Sequence, residues 1–372
     1  MIRPSRIAIV GGGPGGLLLA RLLQRRGLTP VVYERDAHAG ERPQGGSLDL
    51  HAETGQRAMR LAGLEAAFRK AARPEDQGDR LYDAAGHLLF DRDGNGDDRP
   101  EIDRTVLRQI LLDALAPGVI RWGSRVQAIT PSHEGGFIIA SGDASERFDL
   151  VVGADGAWSR VRDLLTTTKP RYEGVTLVEL GFDTAKHPQV DALVGSGKMF
   201  AVGHDRALIA QRNGSGHIRG YAGLRLREDE ARAWMEALTE AIRQQMSATF
   251  AEWAPPLIDL VERGDILGVR PMYALPVGHR WPSRPGVTLL GDAAHLMSPF
   301  GGEGVNLALA DAADLADAIT GDDGWAGIEA FEATMAARAA PAAQGAAAGL
   351  ESVFSPNGAD QVLAHYRERV AA

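Results

Sequence analysis

Gly11-x-Gly13-x-x-Gly16 directly follows a short apolar run, Arg6 to Val10, and opens a helix-like stretch, Leu17 to Arg26. Glu34 ends the next apolar run, PVVYER. Glycines at this spacing suit a pyrophosphate. The first makes a tight turn, the second lets the backbone approach the phosphates, and the third lets the helix sit close to the strand. The helix start adds free N–H groups and the positive end of the helix dipole. A carboxylate at Glu34 accepts hydrogen bonds from ribose hydroxyls and repels a 2′-phosphate, so the bound dinucleotide should be FAD or NAD rather than NADP. Arg35 is either part of this site or a solvated neighbour of it.

A second stretch, GDAAHLMSPFGGEGVN from Gly291 to Asn306, follows the strand-like VTLLGD. It is too rich in glycine for a helix interior. A second glycine-rich strand-to-helix junction implies that one long ligand is touched twice, which favours FAD. Asp292 is placed for a ribityl hydroxyl, with a helix cap as the alternative. Gly301, Gly302 and Gly304 let backbone approach a flat ring. The helix beginning near Gly304 would aim its first N–H groups at the ring edge where negative charge collects on reduction. His295 reads as a packed histidine, and Trp122 and Trp158 as core residues.

These two stretches and DLVVGADGAWSRVR together resemble the group A flavoprotein monooxygenases, the para-hydroxybenzoate hydroxylase class. GGSLDLHAETGQRAMRLAGL and PEIDRTVLRQILLDAL are most similar to the tetracycline-inactivating monooxygenases of the Tet(X) type. The likeness covers nearly the whole chain, tightly in the FAD-binding segments and loosely in the middle. It implies that Arg42, Asp49 and Arg104 lie along FAD, that Asp155 serves FAD and a transient nicotinamide, and that Pro299, Gly302, Gly304, Val305 and Asn306 adjoin the ring. Two arginines suit a dianionic pyrophosphate in an acidic protein. Arg104 in the first turn of its helix is misplaced without an anion beside it; for Arg42 the alternative is a solvated loop arginine.

The resemblance places Leu180, Lys198, Ile209 and Arg219 where the tetracycline enzymes contact the drug, though none is the same residue type, and adds Pro299, Phe300 and Gly302 to the substrate site. It implies no catalytic side chain, because the flavin carries the chemistry. It further implies that NADPH would reduce FAD as a transient co-substrate, that O2 would add at the flavin C4a, and that the distal oxygen of that hydroperoxide would pass to an aromatic or polycyclic small molecule. Two other readings stay open: a flavin-dependent reductase or oxidase without oxygen insertion, and a flavoprotein that binds a ligand without turnover.

The elements needed to position these residues are those of an α/β protein: an FAD/NAD(P)-binding Rossmann-like domain with an inserted β-sheet substrate domain and a C-terminal helix. The expected FAD-binding domain is discontinuous, at 1–72, 101–167 and 277–321. The substrate domain takes 73–100 and 168–276, and the helical tail 322–372. The periodicity predicts a helix over TGQRAMRLAGLEAAFRKAA, a hairpin turning at Ala85-Gly86, a surface loop DRDGNGDDRPE, a helix capped by Asp103, and one long helix from Glu228 to Phe250. The Ala-rich tail should be helical with a break near SPNG.

Composition limits the alternatives. With 372 residues the chain exceeds one typical domain, and 44% apolar residues supply a sizeable core. A net charge of −9 gives no footprint for nucleic acid. No apolar run reaches the length of a membrane span, and no secretory leader precedes the first strand, so a cytoplasmic monomer is expected. The absence of Cys removes disulfides and thiolate metal sites, and no other metal-ligand spacing stands out.

Overall fold

The computed structural model describes residues 5–42, 45–94 and 98–371. The predicted loop between Asp91 and Glu101 therefore falls partly outside the described residues, at 95–97.

Five short strands form a parallel sheet in the order Val287–Leu289, Leu150–Gly153, Ile7–Val10, Val31–Tyr33, Ile120–Arg121. Their apolar residues are buried on both faces, as a parallel sheet between helices requires. The register pairs Val10 with Gly153 and with Tyr33, and Gly153 with Leu289. The carboxyl ends of these strands therefore align, and the chain leaves that one edge at Gly11, Glu34, Ala154 and Leu290. Open parallel sheets bind ligands at this edge. The helix Pro14–Arg25 packs against the helix Gly304–Thr320, and Gly15 permits it: a Cβ there would stand 2.7 Å from Leu290 and 3.1 Å from the Ala308 carbonyl. The two glycine-rich junctions, far apart in sequence, are thus neighbours.

The apolar run ending at Asp155 divides between two sheets. Ala144–Phe148 joins Phe137–Ser141 and Val126–Pro131 in an antiparallel three-stranded sheet, and Leu150–Gly153 enters the parallel one. Between them the Asp149 carboxylate accepts the backbone N–H groups of Ser5 and Arg6, each at 3.0 Å.

A seven-stranded sheet has the order Asp265–Ala274, Arg171–Asp183, His217–Arg225, Arg206–Asn213, Gly197–Gly203, Gly78–Asp83, Leu88–Arg92. Side chains alternate across it. One face carries Val178, Leu180, Phe182, Met199, Leu208 and Ala222, buried with Met246 and Leu257 of the helices Thr239–Thr249 and Pro255–Arg263. The other carries Val175, Leu177, Phe200, Ile209 and Tyr221, packed with Phe300 and with Phe354 after the long helix Trp325–Val353. The tail breaks after Val353 and resumes as Gly358–Ala371. Among the described residues no helix is long and apolar enough to cross a membrane.

Three sequence expectations change. The predicted helix over residues 54–72 is a π-helical turn, Ala52–Gln56, followed by two short helices, Arg57–Leu61 and Glu65–Ala71. The break falls at Gly63, whose φ of 72° is left-handed. The predicted helix from Glu228 to Phe250 is also two, Glu228–Glu236 and Thr239–Thr249. Extended backbone at Ala237 and Leu238 lets the first half follow the strand Asp265–Ala274 and the second pair with Pro255–Arg263. Asp103 precedes the helix Arg104–Asp113 but does not cap it. Its carboxylate bridges Arg73 at 3.0 Å and the backbone N–H of Gly214 at 3.1 Å, tying the helix start to the seven-stranded sheet instead.

Candidate cofactor and substrate cleft

At the first junction each glycine answers a different constraint. Gly11 has φ 110°, and a Cβ there would meet the Ala154 carbonyl oxygen at 2.2 Å. A Cβ on Gly16 would meet the Gly11 carbonyl oxygen at the same distance, so the helix lies directly on the strand end. Around Gly13 there is only open space, and no side chain caps the helix it precedes. The first N–H groups of that helix are therefore available to a ligand. Glu34, buried, accepts the N–H of Gly12 at 2.7 Å and of Asp36 at 2.9 Å.

Arg108, which the sequence did not single out, holds this corner together. It donates to the carbonyls of Ala39 (2.8 Å) and Gly12 (3.3 Å), lies 3.4 Å from Asp36 and 3.9 Å from Glu34, and stacks on Trp122. Arg42 pairs with Asp36 at 2.8 Å, while Arg35 is exposed. Arg104 is exposed in the first turn of its helix and, among the described residues, makes no ion pair. Backbone at Gly45 approaches it.

At the second junction Asp292 follows Gly291, whose φ is 58°. Its side chain is solvent-accessible, yet surrounding protein atoms crowd it. That enclosure pushes its pKa up, against the pull of His295 and Arg104. A Cβ on Gly304 would lie 3.8 Å from Asp292 Oδ1, and one on left-handed Gly302 4.0 Å from Asp49 Oδ1, so Asp49 and Asp292 flank the glycine run. The first intrahelical bond from this helix start goes from Leu307 N–H to the Glu303 carbonyl. No side chain caps the helix, which leaves the N–H groups of Gly304, Val305 and Asn306 uncovered. Glu303 turns instead to His51 Nδ1 at 3.5 Å, and Asp49 to His51 Nε2 at 3.3 Å. Burial would discharge His51, but these two carboxylates raise its pKa to about 9. Burial likewise opposes ionisation of Asp49, yet His51 and Lys198 hold its pKa below the ordinary value.

Asn306 departs from expectation. Its side chain is fully buried; its oxygen accepts the His51 N–H and its nitrogen donates to the Asp49 carbonyl, both at 2.9 Å. The amide clamps the segment 49–51 to the helix, so only the backbone of Asn306 can serve a ligand. In the GADG loop, the Asp155 carboxylate is likewise occupied, by Ser159 Oγ at 2.5 Å and by the N–H of Arg160 at 2.8 Å. Burial still pushes its pKa up. Arg162, also buried, links this loop to the second junction through the carbonyls of Ala157 (2.7 Å) and Ala293 (3.1 Å). Trp158, expected in the core, is 61% exposed, edge-on to Tyr273 at 5.0 Å.

Of the expected substrate residues, Lys198, Ile209 and Arg219 lie on the sheet face that carries Tyr221 and Phe200. Leu180 does not. It lies on the opposite face, 1% exposed, in the core beneath the helices. Glu179 takes its place and bridges Arg219 at 3.1 Å and Arg270 at 3.0 Å. Arg219 and Tyr221 pack on Gly46. Lys198 lies 3.5 Å from Asp79; its buried setting would discharge it, but Asp79 and Asp49 hold its pKa above the ordinary amine value. Pro299 and Phe300 form the turn Pro299–Gly301, with Phe300 edge-on to Phe354 at 5.5 Å.

Two uncapped helix starts, open space before Gly13 and an unpaired Arg104 fit an elongated, doubly anionic dinucleotide ending in a flat ring. A family model described as an FAD binding domain matches residues 5–346, most of the chain. The chain belongs to this family. It is an FAD-dependent monooxygenase. Similar relatives are the monooxygenase asqM of Emericella nidulans, 33% identical over 86% of this chain and 85% of its own, and the monooxygenase penA of Penicillium thymicola, 31% identical over 84% of each. Among solved structures, HpxO of Klebsiella pneumoniae complexed with FAD and uric acid superposes with a TM-score of 0.79 at 21% identity, covering 98% of this chain and 92% of its own. The tetracycline destructase Tet(51) gives 0.74 at 18%, covering 98% and 96%. At these identities the two structures speak for the fold alone.

In this monooxygenase, sequence reasoning missed Asp36, Arg108, Arg162, Glu179 and Arg270. Arg108 sits in a helix on ordinary amphipathic spacing, which carries no mark of a distant partner. Glu179 had a signal: an acid inside the apolar strand run VTLVELGF, where a buried carboxylate requires a cation.

Proposed function

We propose that this FAD-dependent monooxygenase takes electrons from NADPH as a transient co-substrate and hydroxylates an aromatic or polycyclic small molecule. The observation that carries the proposal is a contact: Phe300 of the second glycine junction packs in the cluster that holds Ile209 and Tyr221 of the seven-stranded sheet, with Arg219 on the same sheet face. The chain divides accordingly into a cofactor part (1–72, 101–167, 277–321), a substrate part (73–100, 168–276) and a tail (322–372).

When bound, FAD supplies a ring that accepts hydride and activates dioxygen for transfer to carbon. The protein's own residues bind and orient. Gly13 and the uncapped helix start after it would offer backbone to the pyrophosphate, Arg42 and Arg104 would offset its charge, and Glu34 would take a ribose. Asp49 and Asp292 hold the chain between ribose and ring. The free amides of Gly304, Val305 and Asn306 favour negative charge at the ring edge. Phe300, Ile209 and Phe200 keep water from the reacting carbon. Arg219, fixed by Glu179, offers a charged donor to a polar substituent.

Tetracycline oxidation is the finer reading, supported by the sequence resemblance and by the fold shared with Tet(51). A flat heterocycle is favoured equally by the fold shared with the urate-bound HpxO. The deciding experiment supplies phenols, purines and tetracyclines with NADPH under labelled oxygen. Label in the organic product supports the proposal. Steady NADPH consumption with no labelled product for any compound would make the protein a reductase or oxidase.

A further inference from the structure

Beyond its uncapped start, the helix Gly304–Thr320 carries a buried ion-paired cluster. Asp311 is completely buried. Its Oδ2 accepts the backbone N–H of Gly291 at 3.0 Å and meets His295 Nε2 at 2.6 Å. Its Oδ1 takes Arg338 NH2 at 2.9 Å. Arg338 belongs to the long C-terminal helix, and its other nitrogen reaches Asp314 at 2.6 Å. Asp314 also receives Arg57 at 3.2 Å. Gly291 and His295 bracket Asp292, the residue assigned above to the bound cofactor. One buried carboxylate therefore grips both ends of the Asp292 turn, and the C-terminal helix fixes that carboxylate from behind.

The grip has a physical purpose. Gly291 holds a left-handed φ of 58°, and the turn it begins is only four residues long, Asp292–His295. So short a helix has little stability of its own. A buried carboxylate is costly unless paired, and three donors converge on this one. Without Arg338, Oδ1 of Asp311 loses its only described partner, and the carboxylate is free to rotate away from the Gly291 N–H.

We propose that Asp311 and Arg338 are positioning residues for the flavin: the C-terminal helix, through this pair, sets the Asp292 turn and so the affinity for FAD. The proposal rests on the FAD-binding reading. It makes the tail helix part of the cofactor site through a charged contact, in addition to its packing of Ala346 and Gly349 against Gly301 and Phe300.

The test titrates FAD into apoprotein, read by quenching of flavin fluorescence, alongside the melting temperature of each apoprotein. Arg338→Ala should weaken FAD about tenfold or more, the scale of one charge-assisted contact. Arg338→Lys, which keeps the charge but cannot reach both carboxylates at once, should recover part of that loss. Asp311→Asn should weaken FAD as Arg338→Ala does and blue- or red-shift the visible spectrum of the flavin that remains bound. Arg57→Ala breaks only the outer pair with Asp314 and should leave FAD affinity unchanged. If Arg338→Ala melts earlier yet binds FAD as the wild type does, the pair is purely structural and the proposal fails. It fails too if Arg57→Ala weakens FAD as much as Arg338→Ala. A wild-type apoprotein indifferent to FAD would sink the cofactor reading itself, a result distinct from either.

Discussion

Asp292 and Glu101 are both acidic and both enclosed, yet they call for opposite tests. Asp292 opens into the cleft at the start of its turn, and Asp292→Ala should purify colourless or lose FAD on dilution. Retention of FAD at wild-type affinity, measured by absorbance after dialysis, would remove it from the site. Glu101 is buried behind the cleft, opposite Asp49 in a two-stranded ribbon, and accepts Ser47 Oγ at 2.8 Å. Burial raises its pKa to about 7, with Lys198 pulling down and Asp49 pushing up. Because the folded pKa exceeds the ordinary 4.5, its contribution to stability is complete below that value and is lost as pH rises through about 7. Glu101→Gln keeps the acceptor for Ser47 and cannot ionise. The variant apoprotein should therefore match wild type near pH 4 and exceed it at pH 8, by on the order of 2–3 kcal/mol in a denaturant titration. Parallel pH curves for the two proteins would contradict this. Neither Glu101 nor Asp311 was legible in the sequence. Each owes its character to partners in other elements distant along the chain, whereas Gly11, Gly13, Gly16 and Glu34 belong to one continuous strand–turn–helix–strand whose spacing is itself the signal.

At the level of elements, the three glycines of the first junction separate by what surrounds them. A Cβ at Gly16 runs into the Gly11 carbonyl, so Gly16→Ala should lift the helix off the strand and lower the melting temperature of the apoprotein as well as FAD affinity. A Cβ at Gly13 meets nothing. Gly13→Ala should leave the apoprotein as stable as wild type while weakening FAD, because the space it fills is the space assigned to phosphate. Equal losses in apoprotein stability would show that the void has no ligand role. The seven-stranded sheet gives a second comparison. Leu180→Ala should cost about 2–5 kcal/mol of stability, as core truncations do, with no change in substrate-stimulated turnover. Arg219→Ala should do the reverse, changing the KM for substrate with little loss of stability. Strand existence was readable here from apolar runs, but the face was not. Residues one apart lie on opposite sides, and a one-position shift in register exchanges core for cleft. That is why Leu180 was expected where Glu179 stands. Helix breaks at Gly63 and at Ala237–Leu238 escaped for a related reason. The apolar spacing continues across them, and only the direction of the next packed element decides where the chain turns.

Across the molecule as a whole, the cleft draws on the parallel sheet, the seven-stranded sheet and the C-terminal helices, so the cofactor should report on all three. Adding FAD to the apoprotein should raise its melting temperature with ligand concentration, by the equivalent of about 2.7 kcal/mol at a hundredfold excess over Kd. A melting temperature independent of added FAD would mean that the sites joined by the cofactor are not joined in solution. One strand has a further consequence for how the protein is made. Val287–Leu289 lines the edge of the parallel sheet beside Leu150–Gly153, and everything between them must be synthesised before that pairing can form. Pairings so distant along the chain are slow to close. A nascent polypeptide emerging from the ribosome therefore carries an open sheet border until its last quarter appears. Pigment capture must come at the close of biosynthesis, not during it.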